Sequence, residues 1–302
     1  MIRRFALPAC TLLACLALGA CATPAPSAAP SAAPSAAPAP ADALGRIKAA
    51  GSINVAFAGD SLPFSFVGPD NQPAGYSIDL CRHVIAAVGR ATGTPNLAVR
   101  WKVGTTAERL AMVGDGRADL ECGNTTPTIA RMKSVDFSNL IFVDASGFMV
   151  RVDARIQRAA ELSGKRIAVI AGTTNEAALE RALKQHAIAA QVVRVREAGE
   201  AVALLEAGGA EAFAGDRLKL VGAAAQARDP KAFALLPDDL SFEPYAFALP
   251  RNDTAMRATV NGALGELFRG PELDRIFARW FGTLGSPSAL LGSMYLLSIT
   301  PE

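Results

Sequence analysis

Histidine is nearly missing from this chain. The 302 residues hold two, His83 and His186, and no CxxC pair, so the ligand pattern of a structural zinc site is absent. Charge of one sign is missing as well, with 30 basic and 28 acidic residues and a formal net charge of +2. Arg3 and Arg4 make up that surplus, because the first twenty residues contain no acid. The neutral remainder argues against a nucleic-acid partner, which would call for a basic patch. Aromatic residues are scarce at 6%, although 51% of the chain is hydrophobic and 19% charged, a balance that suits a globular protein large enough for two lobes. No Ser/His/Asp or Cys/His constellation for nucleophilic catalysis is apparent, and no cofactor is expected. No hydrophobic span follows residue 20, which points away from a sensor fused to a membrane-spanning domain.

What is present begins with an address. Met1 to Arg4 is basic, and residues 5–18 form an apolar run too short to span a bilayer comfortably, so 1–20 reads as a signal peptide. It ends in Leu18-Gly19-Ala20-Cys21, which resembles a bacterial lipobox, with Cys21 the residue to be lipidated. Ala22 follows where an aspartate is absent, so the expected place is the periplasm, lipid-anchored to the outer membrane rather than the inner. Ser-Ala-Ala-Pro then occurs three times within 21–41, a composition that disfavours helix and sheet. This stretch reads as an extended tether reaching at most ~55 Å at about 3.1 Å per residue. The folded body is expected from Asp42 onward. In an oxidising compartment Cys81 and Cys122 are either a disulfide or two buried thiols.

Along the body, short apolar or β-branched runs alternate with helical patterns. Strands are predicted at 53–57, 98–103, 118–121, 148–152, 166–170, 191–195, 212–214, 233–236 and 245–249. Helical spacing shows in Leu80/Val84/Val88, in Leu179/Leu183, and in Leu273/Ile276/Phe277/Trp280 behind Pro271. Alternating strands and helices imply mostly parallel sheets, in which ligands bind beyond the carboxyl ends of strands.

Three such turns stand out. Thr105 with Glu108, and Thr173 with Glu176, have the spacing of a capping box. The third is Gly123-Asn124-Thr125-Thr126 after the strand 118–121, with Arg131 behind it. Arg109 lies in the first turn of its helix, where the dipole disfavours a cation. An anionic partner is therefore expected, and a bound carboxylate would serve, gripped bidentately.

These residues carry a resemblance. Gly75-Tyr76-Ser77-Ile78-Asp79 and the helix after it resemble the signature of the family 3 extracellular solute-binding proteins, the amino-acid receptors of ABC importers, with Ser77 in place of the first acid. Thr128 to Arg131 with Phe137-Ser138, the turn at Thr173-Thr174, Glu243-Pro244-Tyr245 and the helix through Trp280 follow in family order. The glutamate/aspartate-binding branch is the most similar, through the stretches 118–126, 137–143 and 288–298. The implied fold is α/β and two-lobed, a type II periplasmic-binding-protein fold with crossover strands near 141–146 and 242–245. Lobe 1 is then 42–143 plus 245–302, and lobe 2 is 144–244.

The resemblance also implies a site. Arg109 would hold the α-carboxylate of a free amino acid, with the backbone N–H groups of Thr173 and Thr174 completing its shell. Thr106 matches a serine contact of that branch. Asn124 and Thr126 would accept from the ammonium, and Asp216 would supply its counter-charge. Arg131 would brace the segment. Closure is then expected to depend on ligand, which alone satisfies both charges. The implied partners are the amino acid, an ABC permease and the membrane, for a monomer.

The branch is not matched throughout. The arginine that meets a ligand's side-chain carboxylate falls at Ala58, a contacting histidine falls at Ala198, and a serine contact becomes Asn124. Specificity is therefore expected to shift from glutamate and aspartate toward a neutral or small polar amino acid. The alternative is an enzyme on the same fold, similar to a cyclohexadienyl dehydratase, for which Glu243 is the acid to nominate.

Overall fold

The computed structural model describes residues 42–299. Cys21, the signal segment 1–20 and the tether 21–41 lie outside the described residues. Helix α1 (Ala43–Ala50) begins behind Asp42, whose carboxylate accepts the Gly45 N–H. Strand β1 (Ser52–Phe57) follows, then a small antiparallel sheet of β2 (Asp60–Ser61), β3 (Ser65–Val67) and β4 (Pro73–Ala74). Helix α2 (Tyr76–Thr92), β5 (Ala98–Val103), α3 (Thr106–Gly114) and β6 (Leu120–Thr125) complete the first run.

Strand β7 (Val135–Arg151) is 17 residues long. Beyond it come β8 (Arg166–Ile170), α4 (Thr174–Gln185), β9 (Gln191–Val195), α5 (Ala198–Glu206), β10 (Ala212–Asp216), α6 (Arg217–Ala225) and β11 (Phe233–Leu235). Strand β12 (Ser241–Pro250) returns the chain, and α7 (Thr254–Arg269), α8 (Pro271–Phe281) and α9 (Ala289–Leu297) finish it.

The strands join in the order β5-β1-β6-β12-β7-β10-β8-β9, with β11 on β7. Both flanks are parallel, and the centre is the antiparallel pair β7–β12. These two strands are the crossovers. Their register sets Glu243 opposite Asp144, Phe242 opposite Ala145 and Ser241 opposite Ser146. On one side of that pairing, Ile141, Phe142, Tyr245 and Phe247 enter a core with β1, β6, α2, α7 and α8. On the other, Phe148, Met149 and Val150 enter the two clusters built from β8–β10 and α4–α6.

The few aromatic residues are concentrated where the crossovers meet the first core. Phe64 lies 5.0 Å from Phe142 and 5.1 Å from Tyr245 between ring centroids, and Phe142 lies 5.1 Å from Phe281. The two Phe64 contacts are edge-to-face, and such pairs add about 0.5–1.5 kcal/mol each beyond burial. Gly75 is required here: its φ is +126°, and a Cβ would collide with the Phe64 carbonyl. Asp79, the signature acid that is kept, is structural. It accepts from Arg82, Arg279 and Trp280, tying α2 to α8. Cys81 on α2 and Cys122 on β6 are joined in a disulfide.

Near the cleft, β6 differs from the sequence reading. The segment predicted to end at Glu121 runs on to Thr125, so Gly123, Asn124 and Thr125 are strand residues and the turn begins at Thr126. Pairing supplies the reason, because Thr125 is held opposite Ala246 of β12.

Candidate functional site

The first lobe brings β6 and the start of α3 to the cleft. Thr105 caps α3, with the Thr105 hydroxyl accepting the Glu108 N–H and Glu108 accepting the Thr105 N–H in return. The Thr105 N–H and the Thr105 hydroxyl both donate to the Glu108 carboxylate, and these bonds hold its carboxyl below its ordinary pKa. Arg109 follows and turns inward. Its Nε donates to Glu121 Oε1 at 2.8 Å, its Nη1 to the Gly104 carbonyl at 2.8 Å, and its Nη2 reaches Thr106 and Thr125 hydroxyls at 3.4 Å.

The anion expected for Arg109 is thus present within the chain. Glu121 is wholly buried, and its second oxygen, Oε2, has no hydrogen-bond partner among the described residues. Gly123 makes the pair feasible, since a Cβ there would overlap Glu121 Oε1 and crowd Arg109. The neighbour Arg131 donates Nη1 to the Thr126 carbonyl at 2.7 Å, which is a bracing contact, and burial lowers its pKa.

The second lobe contributes the start of α4 and the end of β10. Thr173 caps α4: its hydroxyl accepts the Glu176 N–H at 3.3 Å and donates to the Ile170 carbonyl at 2.7 Å. Only half of the predicted box forms, because the Glu176 carboxylate bonds the Gly172 N–H and pairs with Arg194. The N–H groups of Thr173 and Thr174 meet no protein acceptor among the described residues. They remain as donors at a helix N-terminus.

Asp216 caps α6 by position, yet its side chain makes no capping hydrogen bond to the backbone of that helix. Its carboxylate is committed to the cleft. Oδ1 accepts from Asn175 Nδ2 at 2.8 Å, Oδ2 accepts from Asn124 Nδ2 at 3.3 Å, and Lys219 Nζ lies 3.3 Å from Oδ2. Asn124 belongs to the other lobe, so this contact spans the cleft.

Glu243 makes the second link. Thr126 of the first lobe and Thr174 of the second both donate to its Oε2, at 2.6 and 2.7 Å, while Ser241 donates to Oε1 at 2.5 Å. A third link joins Ala198 N–H to Asp60 Oδ2 at 3.0 Å. A cavity of about 590 Å³ opens beside Glu243, lined by Thr126, Arg131, Thr173 and Thr174 among others.

The cleft therefore differs from the expectation in two respects. Asn124 and Thr126 act as donors to carboxylates and not as acceptors. Both charges of the clamp are compensated inside the chain, Arg109 by Glu121 within the first lobe and Asp216 by Lys219 within the second, so neither needs a ligand to balance it. The sequence reading missed Glu121, Asn175 and Lys219. Lys219 carried a usable signal, being a cation in a helix's first turn like Arg109. Asn175 directly follows Thr174, and Glu121 is the second acid, after Asp119, in the segment predicted as a strand at 118–121.

Asp144 adds a titratable group. Its carboxyl accepts the Ala145 and Leu218 N–H groups and the Tyr245 hydroxyl. Burial, and then the nearby charge of Asp216, push its pKa up to about 7. The same surroundings raise the Tyr245 phenol well above its ordinary range.

Comparison with known proteins agrees with this architecture. Residues 53–283 match the bacterial extracellular solute-binding proteins, family 3. An L-glutamate/L-aspartate-binding protein of Pseudomonas aeruginosa is 33% identical over 239 residues, covering 79% of each chain. A glutamate/aspartate import solute-binding protein of Escherichia coli is 29% identical over 238 residues, again covering 79% of each. Among solved structures, a substrate-binding protein of an ABC uptake transporter from Streptococcus pneumoniae, with bound histidine, superposes with a TM-score of 0.72 at 21% identity. That superposition covers 80% of this chain and 97% of the other and shows a shared fold.

Proposed function

We propose, on the premise that this chain belongs to the family 3 bacterial extracellular solute-binding proteins, that it captures a free amino acid between its two lobes and delivers it to the permease of an ABC importer. The observation that carries the reading is the cleft-spanning contact of Asn124 with Asp216. It holds the Asp216 carboxylate at the cleft as the acceptor for an ammonium, while Arg109 and the N–H groups of Thr173 and Thr174 offer donors for a carboxylate. A zwitterion needs both sets, since each buried charge costs several kcal/mol unless paired. The relatives named for glutamate and aspartate support the ligand class.

Side-chain specificity is shifted toward neutral or small polar amino acids. Ala58 and Ala198 carry no cation, and the carboxylate of Asp60 sits on the Ala198 N–H, where a second anion would be repelled. The reading is of a binding protein and not an enzyme. Glu243 is the acid a catalytic reading would require, and three hydroxyls already engage it. The lobes are taken as 42–143 plus 245–302 and 144–244, and the protein as a periplasmic monomer anchored through lipid on Cys21, in the outer membrane rather than the inner. Cys21→Ala should release it from membranes, and persistence in the membrane fraction would refute the anchor.

The decisive experiment is a thermal-shift screen against the twenty amino acids, after removal of bound ligand by unfolding and refolding. A ligand at 100 times its dissociation constant stabilises by about 2.7 kcal/mol. Stabilisation by neutral amino acids supports the whole reading. Stabilisation by glutamate or aspartate alone would overturn the specificity, and silence throughout would overturn amino-acid binding.

A further inference from the structure

Helix α6 is capped by an aspartate from another strand. Asp216 stands at its N-cap position, yet the side chain makes no capping bond and meets Asn124, Asn175 and Lys219 instead. The carboxylate of Asp144, on the crossover strand β7, takes over the cap and accepts the Leu218 N–H at 3.2 Å. The Ala145 N–H at 2.8 Å and the Tyr245 hydroxyl at 3.3 Å are its other donors. Asp216 pairs with Ser146 in the β10–β7 register, and Ser146 is two residues from Asp144, so both carboxylates lie on one face of the sheet. The charged groups around Asp144 are engaged elsewhere. Lys219 is paired with Asp216, Arg217 with Asp239, and Glu243, opposite Asp144 on β12, is held by three hydroxyls. Among the described residues, Asp144 is therefore answered by dipoles and not by a cation.

We infer that Asp144 and Asp216 form one receptor for the ligand's ammonium, Asp144 capping α6 so that Asp216 is free to face the cleft, and giving up its own proton to solvent when the ammonium arrives. The inference rests on the amino-acid reading above. Asp144 acts through Asp216 and is a positioning residue. Burial, and then the Asp216 charge, bring its pKa to about 7, so about half of the empty molecules carry this proton at neutral pH. An ammonium docked on Asp216 offsets the charge that opposes a second anion, and the ionised form of Asp144 becomes the favoured one. The coupling is reciprocal. A ligand that expels a proton binds more tightly where the pH has already removed it, so affinity rises from acid toward alkaline pH.

The test uses the full-length protein in detergent, with calorimetric titration of all twenty amino acids. The tightest binder is then titrated from about pH 6 to about pH 8, in two buffers of different ionisation heat that together report the protons released. Wild type should bind roughly fivefold more tightly at the upper pH and release roughly 0.4 proton near neutrality. Asp144→Asn keeps an acceptor for the cap but cannot ionise, so it should lose both effects. Tyr245→Phe removes a donor that favours the ionised form, and should move the rise in affinity to higher pH. A merely structural role would change affinity by one factor at every pH. Equal proton release by wild type and Asp144→Asn, or a rise that Tyr245→Phe leaves in place, overturns the inference while leaving amino-acid binding intact. Binding of no amino acid by wild type would overturn the amino-acid reading and this inference with it.

Discussion

Arg109 Nε lies 2.8 Å from Glu121 Oε1, and the two side chains are 4% and 0% exposed. This relationship changes how the carboxylate grip has to be tested. Arg109→Ala would strand a buried carboxylate, with an expected loss of about 3–5 kcal/mol of stability. Replacing both partners, Arg109→Met with Glu121→Met, removes the charge without stranding its partner and should be close to neutral. Urea denaturation of the single and double variants checks this. The double variant should remain folded yet show no thermal shift with amino acids. Retained binding in it would show that Arg109 does not hold the ligand.

Glu243 gathers three hydroxyl donors from Thr126, Thr174 and Ser241, two of them from opposite lobes. Glu243→Ala should cost about 2–4 kcal/mol, because a hydrogen bond to a charged group contributes ~1.5–3 kcal/mol and the donors would lose their acceptor. Glu243→Gln keeps an acceptor and should cost less. Small-angle scattering of the ligand-free protein should report a larger radius of gyration for Glu243→Ala. An unchanged radius would mean that this carboxylate does not hold the lobes together.

Asp144 predicts a pH dependence of stability. Its folded pKa is about 7, against an ordinary value of 3.8, so the folded protein binds this proton more tightly than the unfolded chain. The contribution is therefore complete below about pH 4, declines as the pH rises and is lost above about pH 7. Asp144→Asn should remove that slope, making the variant more stable than wild type by about 1–2 kcal/mol at pH 8 and no more stable at pH 4. Denaturation curves at steps across that range decide the matter. Parallel profiles for the two proteins would exclude Asp144 as the source.

The disulfide between Cys81 and Cys122 closes a loop of 41 residues and ties α2 to β6 within the first core. Loop-closure entropy puts its contribution at about 4 kcal/mol. Cys81→Ala with Cys122→Ala should lower the unfolding free energy by roughly that amount, and mass spectrometry without reductant should find the wild-type thiols absent. Equal stability of the two proteins would show that the bridge does not form in solution.

Much of the fold was legible in the sequence. The strands at 98–103, 166–170 and 191–195 coincide with β5, β8 and β9, because a short apolar or β-branched run between turn residues is a local signal. The cap at Thr105 was legible for the same reason, its two hydrogen bonds lying within four residues. The length of β7 was not. Asp136, Ser138 and Asn139 interrupt its apolar pattern, and they are strand residues because β12 pairs alongside them. The small sheet β2–β4 was missed on similar grounds, its strands having only two or three residues each.

For the site, sequence alone determined which turns face the cleft and which polar residues stand at them, since strand-to-helix order and capping are properties of neighbours along the chain. Tertiary structure alone decided what each charge meets. Arg109 finds Glu121 twelve residues away, Asn124 finds Asp216 across 92 residues, and Thr126 and Thr174 converge on Glu243 from separate lobes. A charge buried by folding takes whichever opposite group the packed strands bring within about 3 Å, and sequence spacing does not encode that distance.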